Sequence, residues 1–179
     1  MKANIRAFDV AKRNASDGIS LVQTAEGGLI ETSRILIRLR EIAIQAASDT
    51  IGAKERGYLD TEFVQLKSEM DRIAIGTEFN GVALLIGKEE SLREKLNPDG
   101  EMDFPLELQV GASWSESLDG EDVSNPLNVI RIDIDDLNAL TYGEGSLQLG
   151  KEQEGQRVTT KEEATGSVRA IDSAIDVVN

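Results

Sequence analysis

The sequence predicts a mainly α protein, an elongated antiparallel bundle of three helices, the first very long, with a β-hairpin region between the second and third. Three observations predict it. A sevenfold row of apolar and small residues runs without Pro from Ala3 to about Ser48. Two more helical stripes occupy about 53–76 and 160–178. All three Pro residues fall in the stretch between those stripes, where apolar residues alternate instead.

In the first helix the sevenfold row is Phe8, Ala15, Val22, Leu29, Leu36 and Ala43, with a companion row Ala11, Gly18, Ala25, Thr32, Leu39 and Ala46. Rows so spaced form the a/d seam of a helix bound to partner helices. At about 1.5 Å per residue the helix is near 70 Å long, which makes the molecule a rod. Gly18, Gly27 and Gly28 lie inside it, each costing about 1 kcal/mol relative to Ala. They serve either a close approach by a neighbour or a bend.

Ser48-Asp49-Thr50-Ile51-Gly52 stops the first helix with capping side chains and a Gly. The second then runs from about Ala53 to Gly76 on the stripe Leu59, Phe63, Leu66, Met70 and Ile73. So short a connection makes the two antiparallel neighbours. Thr160-Lys161-Glu162-Glu163 has the form of a capping box and opens the third helix, whose stripe is Ala164, Val168, Ile171, Ile175 and Val178. That pattern is still running at Asn179, and the first helix begins without a cap, so a natural chain continuing in both directions is expected.

Between these helices, Leu106–Val110 and Val129–Ile134 alternate as strands, and Val82–Ile86 forms a candidate third. Asp135–Leu140 reads as one or two helical turns capped by Asp. The chain therefore divides into a two-helix part of the rod (1–77), a β-hairpin and loop region (78–156) and a returning helix of the same rod (157–179).

Composition narrows the chemistry. Hydrophobic residues make up 40% of the chain but aromatics only 4%, so the core is built from Ala, Ile, Leu and Val. With 33 acidic against 19 basic residues the net charge is -14, which disfavours nucleic acid and anionic membrane surfaces as partners. The apolar runs are too short to span a bilayer. His and Cys are both absent, which removes the commonest general base and zinc ligand along with all thiol chemistry. Neither Asp133/Asp135/Asp136 nor Asp119/Glu121/Asp122 has a full calcium loop, and both read as solvated or capping charge. Lys88–Lys95 reads as a solvated mixed-charge run, and Gly143-Glu144-Gly145 is too short to cradle a phosphate. No catalytic constellation, cofactor or metal site is expected. Arg38, Arg40 and Glu41 on the first helix, with Glu69, Asp71 and Arg72 on the second, are either ordinary surface pairs or charges that set register between subunits.

Asn14-Ala15-Ser16-Asp17-Gly18-Ile19-Ser20-Leu21-Val22-Gln23-Thr24-Ala25-Glu26-Gly27-Gly28-Leu29 resembles the bacterial flagellin pattern N-A-x-D-G-I-S-x-x-Q-T-A-E-G-x-L. Leu39-Arg40-Glu41-Ile42-Ala43-Ile44-Gln45-Ala46, Glu69-Met70-Asp71-Arg72-Ile73-Ala74 and Thr77-Glu78-Phe79-Asn80-Gly81-Val82 resemble three further flagellin motifs in the same order. More weakly, Ala170–Asn179 is similar to the family's final helix.

The resemblance implies a structural subunit of the extracellular flagellar filament, self-assembling into a helical polymer and serving motility, with a flagellin-related hook-filament junction protein as the alternative. It implies that the chain is the core of such a subunit without its two polymerising end segments, and so monomeric alone. Implied partners are other flagellin subunits, an export chaperone, the filament cap and the vertebrate flagellin-sensing Toll-like receptor. Arg38 and Glu62 match receptor-contact positions of the family, and Ile42 stands where Leu is usual. Arg38, Arg40, Glu41, Glu62 and Arg72 are the expected exposed contacts.

Overall fold

The computed structural model describes residues 2–87, 106–111, 128–132, 138–143, 145–151 and 154–178. Helix α1 spans Lys2–Ala46, α2 Ala53–Gly76 and α3 Lys161–Val178. Between α2 and α3 lie two antiparallel two-stranded sheets, β1 (Glu78–Phe79) with β2 (Val82–Ala83), and β3 (Leu106–Gln109) with β4 (Val129–Ile132). The expected class is observed: three helices, the first very long, with small β elements before the third.

Side chains make each corner. At the end of α1, Arg56 from the first turn of α2 donates to the carbonyls of Ala46 (2.8 Å) and Ser48 (2.9 Å). A cation thus satisfies carbonyls that no helical N–H can reach. The expected capping box opens α3: the Thr160 hydroxyl accepts from the Glu163 N–H, and the Glu163 carboxylate accepts from the Thr160 N–H, both at 3.2 Å. After α2, the β1-β2 turn is Asn80-Gly81 with both residues at positive φ (51° and 81°). Asn-Gly suits a two-residue hairpin turn because neither residue is strongly strained there.

In α1 the companion row is buried throughout, at Ala11, Gly18, Ala25, Thr32, Leu39 and Ala46. The other row is buried only at Leu36 and Ala43, while Phe8 and Val22 are exposed. Leu21, Gly28, Ile35 and Ile42 take its place. The sevenfold seam is therefore kept, but its second row lies one residue earlier than expected, with Leu36 and Ala43 also buried near the C-terminal end. The wider burial at that end follows from what covers each half. Near its C-terminal end α1 meets α3 antiparallel, through Lys161–Asp49 (2.7 Å) and Arg40–Asp172 (2.6 Å). Farther back the β elements approach it.

Gly18 and Gly28 admit that approach. A Cβ at Gly18 would stand 2.3 Å from Leu108 Cδ1, and one at Gly28 would stand 2.6 Å from both Leu85 Cδ1 and Thr77 Oγ1. Side chains, rather than a neighbouring backbone, fill the space, and Asn14 fixes the β3-β4 hairpin by donating to the Gln109 carbonyl (2.9 Å). Gly18→Val should cost about 1–3 kcal/mol by overpacking and shift the NMR signals of Gln109 and Ile132. Gly27→Ala, where nothing lies within 4 Å, should leave both signals in place.

The path from the sheets to α3 belongs to the core. Asn138 forms an isolated bridge with Ile86, and the Ala139 N–H donates to the Leu85 carbonyl, so this part of Asp135–Leu140 is extended rather than helical. Residues 135–137 lie outside the described residues, as do 133–134 of the second expected strand. Ala139 and Leu140 join Leu21, Ala25, Ala74 and Leu84–Ile86 in one cluster. Leu147, Leu149 and Val158 join Leu36, Leu39, Ile42, Phe63, Met70 and Ile171 in the other.

Candidate functional site

The expected contact residues stand on two ridges of the rod. On one, the Arg38 guanidinium on α1 donates through Nε and Nη2 to Glu62 of α2 (3.0 and 2.7 Å) and through Nη1 to Glu41 (3.0 Å). The Glu62 bond, then the Glu41 bond, hold its proton more tightly than in a free arginine. On the other, Arg40 reaches Asp172 of α3. Arg72 pairs along α2 with Glu69 and is exposed. Arg38, Arg40, Glu41, Glu62 and Arg72 thus carry side chains that keep 43–72% of their surface. Ile42 does not: it is 0% exposed, inside the core between the two ridges. Its apolar side chain, in one core cluster with Leu36, Phe63 and Ile171, has more to gain from the bundle than from water.

The outward face of α1 also carries Ile30, Ile37 and Ile44, 48–52% exposed and seven residues apart. Two residues along a helix is a turn of about 200°, so Ile37 faces away from buried Leu39. Periodicity could have found this row, because it repeats as strictly as the buried ones. Apolar residues at heptad spacing on a solvent face are a surface awaiting contact.

A second set of functional groups is internal, and it corrects the expectation for Asp71. Asp60, Lys67 and Asp71 occupy one face of α2, are all buried, and bind the return segment 138–158. Asp60 accepts from Arg157 Nε (2.8 and 3.0 Å) and from the Val158 N–H (3.0 Å), with a further short bond from Arg157 Nη2. Lys67 donates to the carbonyls of Leu149 (3.2 Å), Glu154 (3.0 Å) and Gln156 (3.2 Å). Asp71 accepts from the N–H (2.8 Å) and hydroxyl (3.0 Å) of Thr141, so its carboxylate is turned inward rather than into a surface pair with Arg72. Burial raises the Asp71 pKa against those two hydrogen bonds. Burial alone would raise Asp60 too, but the Arg157 and Val158 hydrogen bonds prevail and hold it below the ordinary range.

Nothing among the described residues resembles a reaction centre. No group of His, Cys, Asp or Glu there could hold a metal ion, and no described helix is long and apolar enough to cross a membrane. The acidic groups Asp133/Asp135/Asp136 and Asp119/Glu121/Asp122, the run Lys88–Lys95 and Glu144 lie outside the described residues.

Fold and surface thus define a class: a helical rod with a tightly bonded interior and an outer face of paired charge and exposed apolar rows. Residues 1–90 match the family of the bacterial flagellin N-terminal helical region. The chain belongs to the bacterial flagellin family. It is 33% identical over 172 residues to flagellin of Salmonella paratyphi A, covering 96% of this chain and 29% of that one. It is 35% identical over 180 aligned positions to flagellin of Halalkalibacterium halodurans, covering 98% and 66%. The crystal structure of Bacillus cereus flagellin aligns with a TM-score of 0.62 at 27% identity, over 93% of this chain and 77% of that one. The chain spans less than a third of the Salmonella relative and 66% of the Halalkalibacterium one.

Proposed function

We propose that this chain is a packing module of the structural subunit of the bacterial flagellar filament, acting outside the cell through assembly geometry and not through catalysis. The observation that carries this reading is the two-sidedness of α1 in a member of the flagellin family: Leu36, Leu39 and Ile42 close the molecule's own core, while Ile30, Ile37 and Ile44 face outward between the charged ridges. Contacts repeated between unlike faces of identical subunits generate an open helix. In this reading Arg38, Arg40, Glu41, Glu62 and Arg72 set register between neighbours, and Ile42 supports them from inside. Polymerisation itself draws on terminal segments of the kind that pair in flagellins, so the 179 residues alone stay monomeric. An export chaperone, the filament cap and the vertebrate flagellin-sensing Toll-like receptor are partners on the same reading.

A polypeptide carrying these residues between flagellin terminal segments should form straight or supercoiled filaments by electron microscopy. Ile37→Asp should abolish filaments without changing the circular dichroism of the monomer. Absence of filaments from the unsubstituted polypeptide, with or without seeds, would sink the proposal. Normal filaments from Ile37→Asp would remove the apolar row from the interface.

A further inference from the structure

Asn80 is the one asparagine of the chain that precedes a glycine. It stands with Gly81 at the tip of the β1-β2 hairpin, both residues exposed and at φ of 51° and 81°. Among the described residues nothing hydrogen-bonds the Asn80 carboxamide, and the Gly81 N–H donates to no described carbonyl. Nothing lies within 4 Å of the place that a Cβ on Gly81 would take. A side-chain electrophile and a backbone nucleophile are thus adjacent, solvated and unengaged.

The other asparagines lack that combination. Asn14 lies inside α1, where the Ala15 amide belongs to the helical ladder, and its own Nδ2 donates to the Gln109 carbonyl (2.9 Å). Asn138 accepts from the Leu140 N–H (3.0 Å), and the Ala139 N–H that follows it donates to the Leu85 carbonyl (2.9 Å). Asn97 and Asn125 precede Pro, whose nitrogen has no hydrogen to lose, while Asn4 and Asn128 precede the β-branched Ile5 and Val129. Ring closure at Asn80 requires the tip peptide to turn, and little opposes that. Only the pairs Glu78–Ala83 and Phe79–Val82 join the strands, above the Leu84 N–H donating to the Thr77 carbonyl (2.9 Å). A ladder so short opens locally at low cost.

We propose that Asn80 is a modification site, where the amide is exchanged for a carboxylate through a cyclic imide shared with Gly81, water being the co-reactant. The Gly81 nitrogen gives its proton to a solvent base and attacks Asn80 Cγ. The new C–N bond forms, the Cγ–Nδ2 bond breaks, and the leaving nitrogen takes up a proton to depart as ammonia. Water then adds to one imide carbonyl, the C–N bond there breaks, and the nitrogen keeps a proton. Addition at Cγ gives aspartate at position 80; addition at the backbone carbonyl gives isoaspartate, whose main chain runs through Cβ and Cγ. Aspartate suits this turn as asparagine does and adds one negative charge. Isoaspartate inserts one more carbon, about 1.5 Å of chain, into a turn that must hold Phe79 and Val82 in register. Val82, Leu84 and Leu85 follow that turn and are 8%, 1% and 0% exposed, with Leu85 packed over Gly28. The isoaspartyl form therefore loosens the hairpin from α1, and the aspartyl form does not. This chemistry belongs to the soluble chain and does not depend on the filament reading.

The test ages the folded wild-type chain in mildly alkaline buffer made with 18O-labelled water. Trypsin then releases the peptide of residues 73–88, and mass spectrometry follows it with the two isomers separated by chromatography. Asn80 should convert at least about tenfold faster than Asn14 or Asn138, because the amides of Ala15 and Ala139 must first break a hydrogen bond. Both isomers should appear, each carrying the label. Conversion no faster than at Asn14 and Asn138, or aspartate without isoaspartate, overturns the proposal. Hydrogen exchange read on the two isomeric peptides of one aged sample should be at least about tenfold faster around Leu84 in the isoaspartyl form. Equal exchange in the two overturns the loosened hairpin.

Discussion

Asp60→Ala should destabilise the chain by about 3 kcal/mol, the lower end of the range for breaking a buried ion pair. The substitution removes one acceptor and strands two sets of donors. The Val158 N–H is left inside the core without a partner, and Arg157 loses the carboxylate that both its Nε and Nη2 address. Arg157 keeps 29% of its surface, so water recovers part of the loss and the upper end of the range is not reached. Denaturant unfolding of Asp60→Ala, Arg157→Ala and the double variant measures the pair: the double variant should lose less than the sum of the singles.

The same pair gives the fold an acid limit. The folded pKa of Asp60 lies below its unfolded value, so its contribution is complete above the ordinary Asp pKa and disappears as pH falls through the folded value. Asp71 works the other way, because burial raises its pKa and protonation in the folded state relieves a cost. The stability difference between wild type and Asp60→Ala should therefore shrink from about pH 5 to about pH 2. A constant difference would mean that the carboxylate charge contributes nothing. Asp71→Asn isolates the opposing trend.

Asp60, Lys67 and Asp71 also show where the sequence stops being legible. Helix ends were readable because their chemistry is local: Thr160 and Glu163 are three residues apart and bond each other. The buried row of α1 was readable because water sorts side chains by period. Lys67, by contrast, is a charge amid the stripe of Leu66 and Met70, and period assigns such a residue to solvent. Its partners are backbone carbonyls 82 to 89 residues away, which carry no residue identity for a motif to register. Likewise Asp135–Leu140 has the composition of a capped turn, yet Asn138 is held extended by Ile86, a contact no local pattern encodes. The outer face was half legible. Family motifs pointed to Arg38 and Glu62, and the structure joins these two across the α1-α2 seam. The motif that carried Ile42 could not tell its inward face from its neighbours' outward one.

Ile42→Ala should cost about 2–5 kcal/mol, the range for truncating a buried aliphatic side chain, while Arg38→Ala should leave stability nearly unchanged. Ile42 lies in the cluster that also holds Phe63 and Met70 of α2 and Ala164, Ile171 and Ala174 of α3. The cavity therefore opens where three helices meet and cannot close by moving one of them. Ile42→Leu keeps the volume and should cost less than about 1.5 kcal/mol. Urea unfolding checks both, with the midpoint falling and the slope unchanged for Ile42→Ala. A midpoint within error of wild type would contradict the buried placement. The result bears on any assembly or receptor assay: Arg38→Ala leaves the bundle standing, so a defect there reports a surface contact. A defect in Ile42→Ala accompanied by a lowered midpoint reports the loss of the platform on which Arg38, Glu41 and Glu62 are held.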